Sequence, residues 1–565
     1  MTQTSLPPVG SLVLHQSKLA LVQELAANDR IVLKNPGGTV KVRPKDVVML
    51  HPGPLQSIPA PSSEGSEQDL EELHVLLEGQ SLPLTEACAL LLGDSTPPQL
   101  VRALQLFWAS PLFDVQDGQI EAVPQEVLDQ RARKARQQEE LLDLKKRFGQ
   151  WQLTESEQQE LANSVLKGRQ SRMEQQLGLQ LDVQQKHRML IHTGFWPLRF
   201  DPYPEAFGLQ HPLEDLEVEE TLLERRDLRH LLSLAIDEAD CTDPDDAISW
   251  DGESLYVHIA DVARFLPPFS SQSEQVVSRV SSRYFPHKII HMLPESLMHR
   301  CRMQGEQQAI TVQLHWHPDG DFREIEVYPS TVCVQRLSYL EAEEKLRQKA
   351  LWPDLQEVLH LEDTHHESRP SVKVKGDQIV LDQRPEGLAD QLVWQSMVLA
   401  NGGIADHARE QDIPMVYAKQ TAERFLAPTQ YTTVPSGHHS SGQAYYTHAT
   451  SPMRRNVDLM VQQQLYGLWT GQNAYSGPQL LETIHSQDQL RDAVRQAERL
   501  SVQHWLLVYV HECGWQGKIL NSKRGNQMED LRLPVLLPAR ANLDSLFVSR
   551  EVDFKNGVVR VEEMP

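Results

Sequence analysis

The chain opens with short apolar runs separated by turn residues. The runs lie at residues 11–14, 19–22, 30–33, 39–42 and 47–50, with turn signals such as Pro36, Gly37 and Gly38 between them. Runs of this length and spacing are typical of short strands. We therefore predict a small β-barrel over residues 1–52. The Pro-, Gly- and Ser-rich stretch that follows, residues 53–66, is predicted to be a linker.

From residue 67 the apolar positions take a helical spacing. Helical patterns cover residues 67–76, 85–92 and 97–108, and the third begins with two prolines that suit a first turn. Asp117 and Gly118 then form a hairpin signal between two further apolar runs. Three short helices before a hairpin predict a winged helix-turn-helix over residues 67–124. The alternative is a small helical spacer with an incidental hairpin.

Residues 125–193 are polar and helical in pattern, and we predict a helical connector there. Residues 131–147 contain seven basic and three acidic side chains. This basic run either contacts nucleic acid or is a solvated helix face. Thr154 and Glu157 form a capping-box pattern that predicts the start of another helix.

The remaining chain divides into a large mixed region and a β-rich end. Strand and helix patterns mix over residues 194–486, which predicts one large α+β domain. A helix over residues 487–505 is followed by apolar runs at 506–511, 516–520, 531–537, 545–548 and 557–561. We predict that residues 487–565 form a helix plus an OB-type barrel, a fold that commonly binds single-stranded nucleic acid.

The net charge and the placement of the cysteines disfavour several classes of protein. The 565 residues include 78 acidic and 54 basic side chains, for a net charge of −24. This charge disfavours a protein that coats nucleic acid nonspecifically, but it leaves metal-assisted phosphate chemistry open. The five cysteines are scattered without a CxxC pair, which argues against a disulfide framework and a zinc ribbon. No apolar stretch is long enough to span a membrane, so we expect a cytoplasmic protein without membrane contact.

The segment with the most candidate catalytic or metal-binding side chains contains five aspartates within ten residues. They are Asp237, Asp240, Asp243, Asp245 and Asp246, between an apolar run and a hairpin signal. Carboxylates ~5 Å apart repel each other by roughly 3 kcal/mol at an effective dielectric constant of ~20. Several that converge in one pocket therefore need a cation, and hard oxygen ligands favour Mg²⁺ or Mn²⁺.

The run of aspartates has three other structural interpretations. A calcium loop of the EF-hand type that starts at Asp243 requires Gly and Glu where Ile248 and Ser254 stand. A helix N-terminus is disfavoured because β-type residues follow the cluster. A solvated acidic turn remains an open alternative.

A second segment supplies basic and aromatic partners. Thr450–Pro452 is interpreted as a helix start, with Arg454 and Arg455 in the first turn, where guanidinium groups form an anion site. The alternative is a structural ion pair between one of these arginines and Asp458. Tyr284 either stacks on a base or belongs to the core.

These segments resemble the RNase II/RNase R (RNB) family of exoribonucleases. Leu234–Ala247 matches the aspartate signature of the family, with the same spacing of Asp237, Asp243, Asp245 and Asp246. Three later blocks follow in the order of the family: Tyr256–Val262, then Arg283–Pro286 with Met292–Glu295, then Tyr446–Asp458 with its Thr-Ser-Pro-hydrophobic-Arg-Arg pattern. The resemblance is specific across the middle of the chain and looser over the C-terminal barrel.

The resemblance implies an RNB catalytic domain and a Mg²⁺-dependent hydrolytic exoribonuclease. Such an enzyme degrades single-stranded RNA processively from the 3′ end, releases nucleoside 5′-monophosphates and serves RNA decay or processing; we expect a monomer. Asp237, Asp243 and Asp246 would hold the metal, and Asp245 would contact the terminal ribose or a second metal. Arg454 would bind the scissile phosphate. The predicted RNA-binding residues are Tyr284, Tyr446, Arg454 and Arg455.

The chain departs from the family at two places. Many relatives carry a Glu-Glu pair where this chain has Trp394 and Gln395, and a His-Arg pair where it has Gln462 and Gln463. Neither change affects the aspartates, so we expect activity. Two other functions remain to be tested: a catalytically weak RNA-binding regulatory protein of the same fold, and a phosphodiesterase that acts on small nucleotides.

Overall fold

A computed structural model describes residues 6–26, 30–77, 79–363, 366–367, 370–421, 429–522, 525–538 and 541–564. The chain forms two compact units, Met1–Gln150 and Trp151–Pro565. The boundary between the units falls inside the predicted helical connector rather than at one of its ends. None of the described helices is both long and apolar enough to span a bilayer.

The first unit begins with a five-stranded antiparallel sheet. Its strands are β1 (Leu12–His15), β2 (Lys18–Ala26), β3 (Arg30–Asn35), β4 (Gly38–Val42) and β5 (Val48–His51), with a 3₁₀ turn at Pro44–Asp46. The order is β4-β3-β2-β1-β5. All five predicted strands are present. No pairing joins the outer strands β4 and β5 among the described residues, so closure into a barrel remains a prediction.

Three helices and a small sheet complete the first unit. Its elements are α1 (Glu67–Leu77), β6 (Ser81–Pro83), α2 (Leu84–Leu92), α3 (Pro97–Ala109), β7 (Phe113–Gln116), β8 (Gln119–Ala122) and α4 (Gln125–Gly149). The predicted helices and hairpin are present, and β6 adds a third strand in the order β6-β8-β7. Phe107 and Phe113 meet edge to face in the core of this segment. The helix α4 is largely exposed, as its polar sequence predicts.

The second unit contains the remaining helices and strands. In chain order they are α5 (Glu155–Leu166), α6 (Arg172–Leu177), α7 (Val183–His192), α8 (Tyr203–Ala206), β9 (Arg226–Asp227), β10 (Ser233–Asp237), β11 (Asp246–Trp250), β12 (Ser254–Ala260), α9 (Ser271–Val277), β13 (Arg283–Phe285), β14 (Lys288–Ile290), α10 (Glu295–Cys301), β15 (Gly305–His317), β16 (Asp321–Ser338), α11 (Tyr339–Arg347), α12 (Pro353–Val358), β17 (His366–Glu367), β18 (Ser371–Lys375), β19 (Gln378–Asp382), β20 (Pro385–Glu386), α13 (Leu388–Glu410), β21 (Tyr417–Lys419), β22 (Gln430–Thr432), α14 (Asn456–Thr470), α15 (Gly477–Ser486), α16 (Asp488–Cys513), β23 (Gln516–Gly517), β24 (Ile519–Ser522), β25 (Gly525–Met528), β26 (Val535–Leu536), β27 (Phe547–Asp553) and β28 (Val558–Glu563). A 3₁₀ turn lies at His439–Ser441. The capping box of Thr154 and Glu157 begins α5, as predicted.

The central sheet of the second unit closes on itself. Its order is β10-β11-β12-β15-β16-β9, and β10 also pairs in parallel with β16. All seven residues of β12 are buried, because the sheet is covered on both sides. The largest core cluster of the chain packs on this sheet and includes side chains of α13 and α14.

At the C-terminal end, one predicted strand is part of a helix. Residues 506–511, predicted as a strand, belong to α16, which runs on to Cys513. A short apolar run cannot be assigned to strand or buried helix from its periodicity alone, and here the run continues the buried face of the helix. The strands that follow form a four-stranded sheet, β23-β27-β28-β26, and the separate pair β24-β25. The OB-type barrel remains a prediction.

Two buried glutamines hold a loop beside the central sheet. The Gln462 side chain donates to the carbonyl of Ala260 at 2.8 Å and accepts from the N–H groups of Val262 and Ala263 at 3.1 and 3.2 Å. Gln463 donates to Leu266 and Ser273. The two positions that depart from the His-Arg pair of the family thus have a structural role in this chain.

Replacement of Gln462 by leucine is expected to destabilise the second unit by about 1–3 kcal/mol, since the buried N–H of Ala263 loses its partner, while the Val262 N–H and the Ala260 carbonyl keep the hydrogen bond between them. Thermal unfolding followed by calorimetry measures the loss. The exposed Gln496 offers the matched control, and Gln496→Leu should change stability by less than about 0.5 kcal/mol. Equal melting temperatures for the two variants would contradict the assigned role.

Candidate active site

The predicted aspartates lie at one end of the closed sheet. Asp237 is the last residue of β10 and Asp246 is the first residue of β11. The two strands pair antiparallel, so the end of one meets the beginning of the other. Asp243 and Asp245 lie in the loop that joins them. The buried strands thus bring the four carboxylates to the same end of the closed sheet, which we call the carboxylate edge.

Contacts outside the aspartates fix the loop. Arg336 donates to the carbonyl of Cys241 at 2.6 Å, and the N–H of Met303 donates to the carbonyl of Pro244 at 2.9 Å. The fifth aspartate of the run, Asp240, instead pairs with Lys373 and Lys375 at 3.2 and 3.3 Å. Asp240 therefore serves a surface ion-pair network.

An ion pair joins the two segments that were identified from the sequence. Arg454 Nε donates to Asp245 Oδ2 at 3.0 Å, and the N–H of Met453 donates to Asp245 Oδ1 at 2.8 Å. The Asp245 side chain is 4% exposed, whereas that of Arg454 is 45% exposed. Asp245 thus orients a guanidinium group that remains accessible from outside.

Burial makes the ionised form of two of these carboxyl groups costly. Burial raises the pKa of Asp245 to about 7, although Arg454 and the N–H of Met453 oppose the shift. Burial, together with the charges of Asp245 and Asp237, raises the pKa of Asp246 to about 8. A cation placed among them would stabilise the ionised forms.

The carboxylate oxygens at this end of the sheet are the type of ligand that a hard divalent cation prefers. Both oxygens of Asp245 accept from Met453 and Arg454, and both oxygens of Asp237 accept from Glu238 and Cys241. Each carboxylate oxygen still has a second lone pair that can bind a cation. Over the described ranges, no three His, Cys, Asp or Glu side chains are arranged to hold a metal ion. Mg²⁺ does not require three, since it is usually held by one or two carboxylates with water and substrate phosphate. The sharing of one ion by these aspartates therefore remains a prediction.

One group that lies among the aspartates was not predicted from the sequence. The thiol of Cys241 donates to Asp237 Oδ2 at 3.1 Å and lies 3.9 Å from Asp243 Oδ1. Burial, followed by the charge of Asp237, raises the pKa of this thiol, so it is protonated at neutral pH. It bridges two of the predicted metal ligands.

The helix expected at Thr450–Pro452 begins later. The helix α14 begins at Asn456, and Arg455 before it is extended. Arg454 and Arg455 thus precede the helix instead of lying in its first turn. The reason is the buried Asp458, which accepts from the N–H of Ser451 and from Arg455, both at 2.8 Å. The structural ion pair proposed as an alternative therefore exists for Arg455, whereas Arg454 pairs with Asp245.

Two clefts meet at these arginines. One, of about 450 Å³, is lined by residues that include Tyr284, Tyr431, Arg491, Arg495 and Glu498. The other, of about 690 Å³, is lined by residues that include Tyr339, Asp390, Trp394, Asn401 and Tyr446. Both share Arg454, Arg455 and His448. The accessible guanidinium group of Arg454 is therefore reached from both sides.

The two predicted aromatic residues differ in exposure. Tyr284 is 41% exposed in the smaller cleft, and its N–H donates to Glu498 at 2.8 Å. Tyr446 is 7% exposed, and its hydroxyl accepts from Asn401 at 3.3 Å. Tyr284 thus offers a ring to a ligand, while Tyr446 lines the larger cleft mainly as a packed side chain.

Comparison with known proteins places these features in a family. Residues 225–424 match the sequence model of the RNB domain. Ribonuclease R of Chlamydia muridarum is 28% identical over 345 residues, which cover 47% of this chain and 50% of the relative. An uncharacterised ribonuclease of Synechocystis is 24% identical over 87% of both chains. The alignment thus spans about half the length of the ribonuclease R relative, and nearly all of the Synechocystis protein.

Solved structures share the fold. An active-site mutant of the Dss1 exoribonuclease from Candida glabrata superposes with a TM-score of 0.58 at 14% identity, over 99% of this chain and 97% of that one. RNase R of Mycoplasma genitalium, in complex with ribose-methylated single-stranded RNA, superposes with a TM-score of 0.51 at 17% identity over 60% of this chain and 72% of that one. The resemblance inferred from the aspartate and arginine segments is confirmed. Residues 225–424 thus match the RNB domain, and the chain is distantly similar to ribonucleases that carry it.

Proposed function

We propose that the protein is a Mg²⁺-dependent exoribonuclease that hydrolyses single-stranded RNA from the 3′ end and releases nucleoside 5′-monophosphates. The observation that carries the proposal is the ion pair between Asp245 and Arg454, which joins the carboxylate edge of the sheet to an accessible guanidinium group between two clefts. A group of carboxylates alone would be compatible with many kinds of metal site. An arginine held among them suits a site that handles phosphate.

Arg454 binds the scissile phosphate in this proposal. Its Nε is engaged by Asp245, and its two terminal nitrogens make no hydrogen bond within the described residues. These nitrogens can donate to phosphate oxygens, and a fixed cation there stabilises the charge that develops during hydrolysis. Asp245 keeps the guanidinium plane in position, so we assign it a positioning role.

Asp237, Asp243 and Asp246 would hold the metal. When bound, Mg²⁺ supplies a water activated for attack and neutralises phosphate charge. The Cys241 thiol donates to Asp237 and so fixes the orientation of that carboxylate.

The clefts would hold the nucleotides on either side of the phosphate. Tyr284, with its exposed ring, stacks on the terminal base, and the exposed Arg495 lines the same cleft as a cation for phosphate. Contacts to ribose 2′-hydroxyl groups would distinguish RNA from DNA. The winged helix-turn-helix over residues 67–124, the basic helix α4 and the OB-type barrel near the C-terminus are the further surfaces that we propose for RNA.

A time course on labelled RNA tests the reaction. With Mg²⁺, single-stranded RNA labelled at its 3′ end is expected to release labelled mononucleotide from the first time point, and EDTA should stop this release. A DNA strand of the same sequence is the control, and it should be cleaved far more slowly.

Other products would identify another function. Early internal fragments would indicate an endonuclease. Cleavage of dinucleotides with intact long RNA would indicate a phosphodiesterase for small nucleotides. RNA binding without cleavage, with Mg²⁺ or Mn²⁺, would indicate the RNA-binding regulatory protein instead.

A further inference from the structure

Trp394 is an exposed aromatic side chain on the wall of the larger cleft. It retains 57% of its surface, while its neighbours Val393 and Met397 pack against the core. An exposed indole in a cleft offers a large flat face to a ligand.

The helix α13 directs Trp394 toward the cleft. Asp390, Trp394, Met397 and Asn401 are spaced four, three and four residues apart, and all line the cleft. This spacing places them along one face of a helix. The position of the indole therefore follows from the backbone of a long helix that is packed on the central sheet.

Both ends of this helix face are fixed. At one end, Arg384 forms a two-pronged ion pair with Asp390 and lies over the ring of Tyr339 at 3.9 Å. At the other, the Asn401 side chain accepts from the N–H of Ala449 at 2.9 Å and so connects α13 to the segment that carries Arg454. Trp394 lies between these anchors on a rigid element.

We infer that Trp394 forms a base-stacking subsite for the RNA strand on the 5′ side of the scissile phosphate. Seven residues of helix separate Trp394 from Asn401, which is about 10 Å along the axis. Stacked nucleotides of one strand are about 3.4 Å apart, so this length of helix corresponds to about three nucleotides. Tyr284 lies in the other cleft, on the 3′ side. An RNA strand would thus be held by a ring on each side of Arg454.

Stacking on a flat ring is tolerant of sequence, because every base has a π face. The subsite therefore recognises any base and fails only where the base is missing. This inference rests on the proposed function, since it takes RNA as the ligand.

Binding of RNA to the Asp245→Asn protein tests the inference without cleavage of the ligand. Trp394→Ala in this background is expected to weaken binding about 5- to 100-fold, the range for the loss of one base stack. Trp394→Phe should retain most of the affinity, because it keeps a flat ring, and Trp394→Leu should behave like the alanine variant. Leu468→Ala removes another exposed apolar side chain, outside both clefts, and should change nothing.

RNA with a single abasic nucleotide separates stacking from a general effect on folding. With Trp394 present, one abasic position within the last six nucleotides should weaken binding several-fold more than its neighbours. In the Trp394→Ala protein, an abasic nucleotide at this position should weaken RNA binding no more than one at a neighbouring position. The inference would be overturned if Trp394→Ala left the affinity for RNA unchanged. It would also be overturned if the substitution left the effect of each abasic position unchanged. Neither result would contradict the proposed function. A complete lack of RNA binding by the Asp245→Asn protein would overturn the proposed function as well.

Discussion

Asp245→Asn is expected to lower the rate of RNA hydrolysis by at least about 100-fold and to leave RNA binding within a few-fold of the unchanged protein. The asparagine oxygen can still accept from the N–H of Met453, so the loop keeps its position. Its amide group, however, cannot accept from Arg454, and the guanidinium group loses the partner that orients it. Single-turnover hydrolysis and fluorescence polarisation with labelled RNA measure the two effects.

The same loop contains a matched control for this substitution. Asp240 is an aspartate of the same run, but it pairs with Lys373 and Lys375. Asp240→Asn should therefore hydrolyse RNA at nearly the unchanged rate. Full activity of Asp245→Asn, with a normal melting temperature, would refute the assigned site, and so would equal losses in both variants.

Arg454→Ala is expected to reduce turnover by about 100- to 1000-fold, with a much smaller loss of affinity for RNA. The reason is that Arg454 acts on charge that develops during the reaction, whereas RNA is held by many groups along both clefts. Saturating single-turnover rates report turnover, and binding is measured separately with EDTA present.

Arg495 provides the comparison for Arg454. It lines the smaller cleft, is 48% exposed, and its nearest carboxylate is that of Asp492 at 3.8 Å. Arg495→Ala should weaken binding and leave the saturating rate nearly unchanged. A pure affinity defect in Arg454→Ala would reduce Arg454 to the same role, that of holding the strand.

Local sequence chemistry predicted the strands that flank the aspartates, whereas a shared metal site remains a prediction. Asp237 and Asp246 stand beside short apolar runs next to a hairpin signal, which favoured strands, and the pairing of neighbouring strands then brings the two residues together. The pairing of Asp245 with Arg454 could not be predicted, because 209 positions separate the two residues and only the tertiary fold brings them together.

The errors have a similar origin. Arg454 and Arg455 were expected in a helix, since Ser451 and Pro452 suit a helix start, but the buried Asp458 binds Ser451 and moves the start to Asn456. Residues 506–511 have strand-like composition, yet they continue α16 because its buried face extends to them. In both places a tertiary contact outweighed the local preference.

Because the central sheet is closed, the end of the sheet that carries the carboxylates can open only when the whole sheet opens. Since β10 pairs on one side with β11 and on the other with β16, the strand that ends in Asp237 cannot slide or peel away unless the whole ring opens. Fluctuations that merely loosen this edge are thus suppressed, and amide hydrogens of β10 and β11 should exchange with solvent only when the entire domain unfolds. In the proposed function, any motion that admits RNA or releases a nucleotide then comes from the walls of the clefts, while the end of the sheet that carries the carboxylates keeps its position.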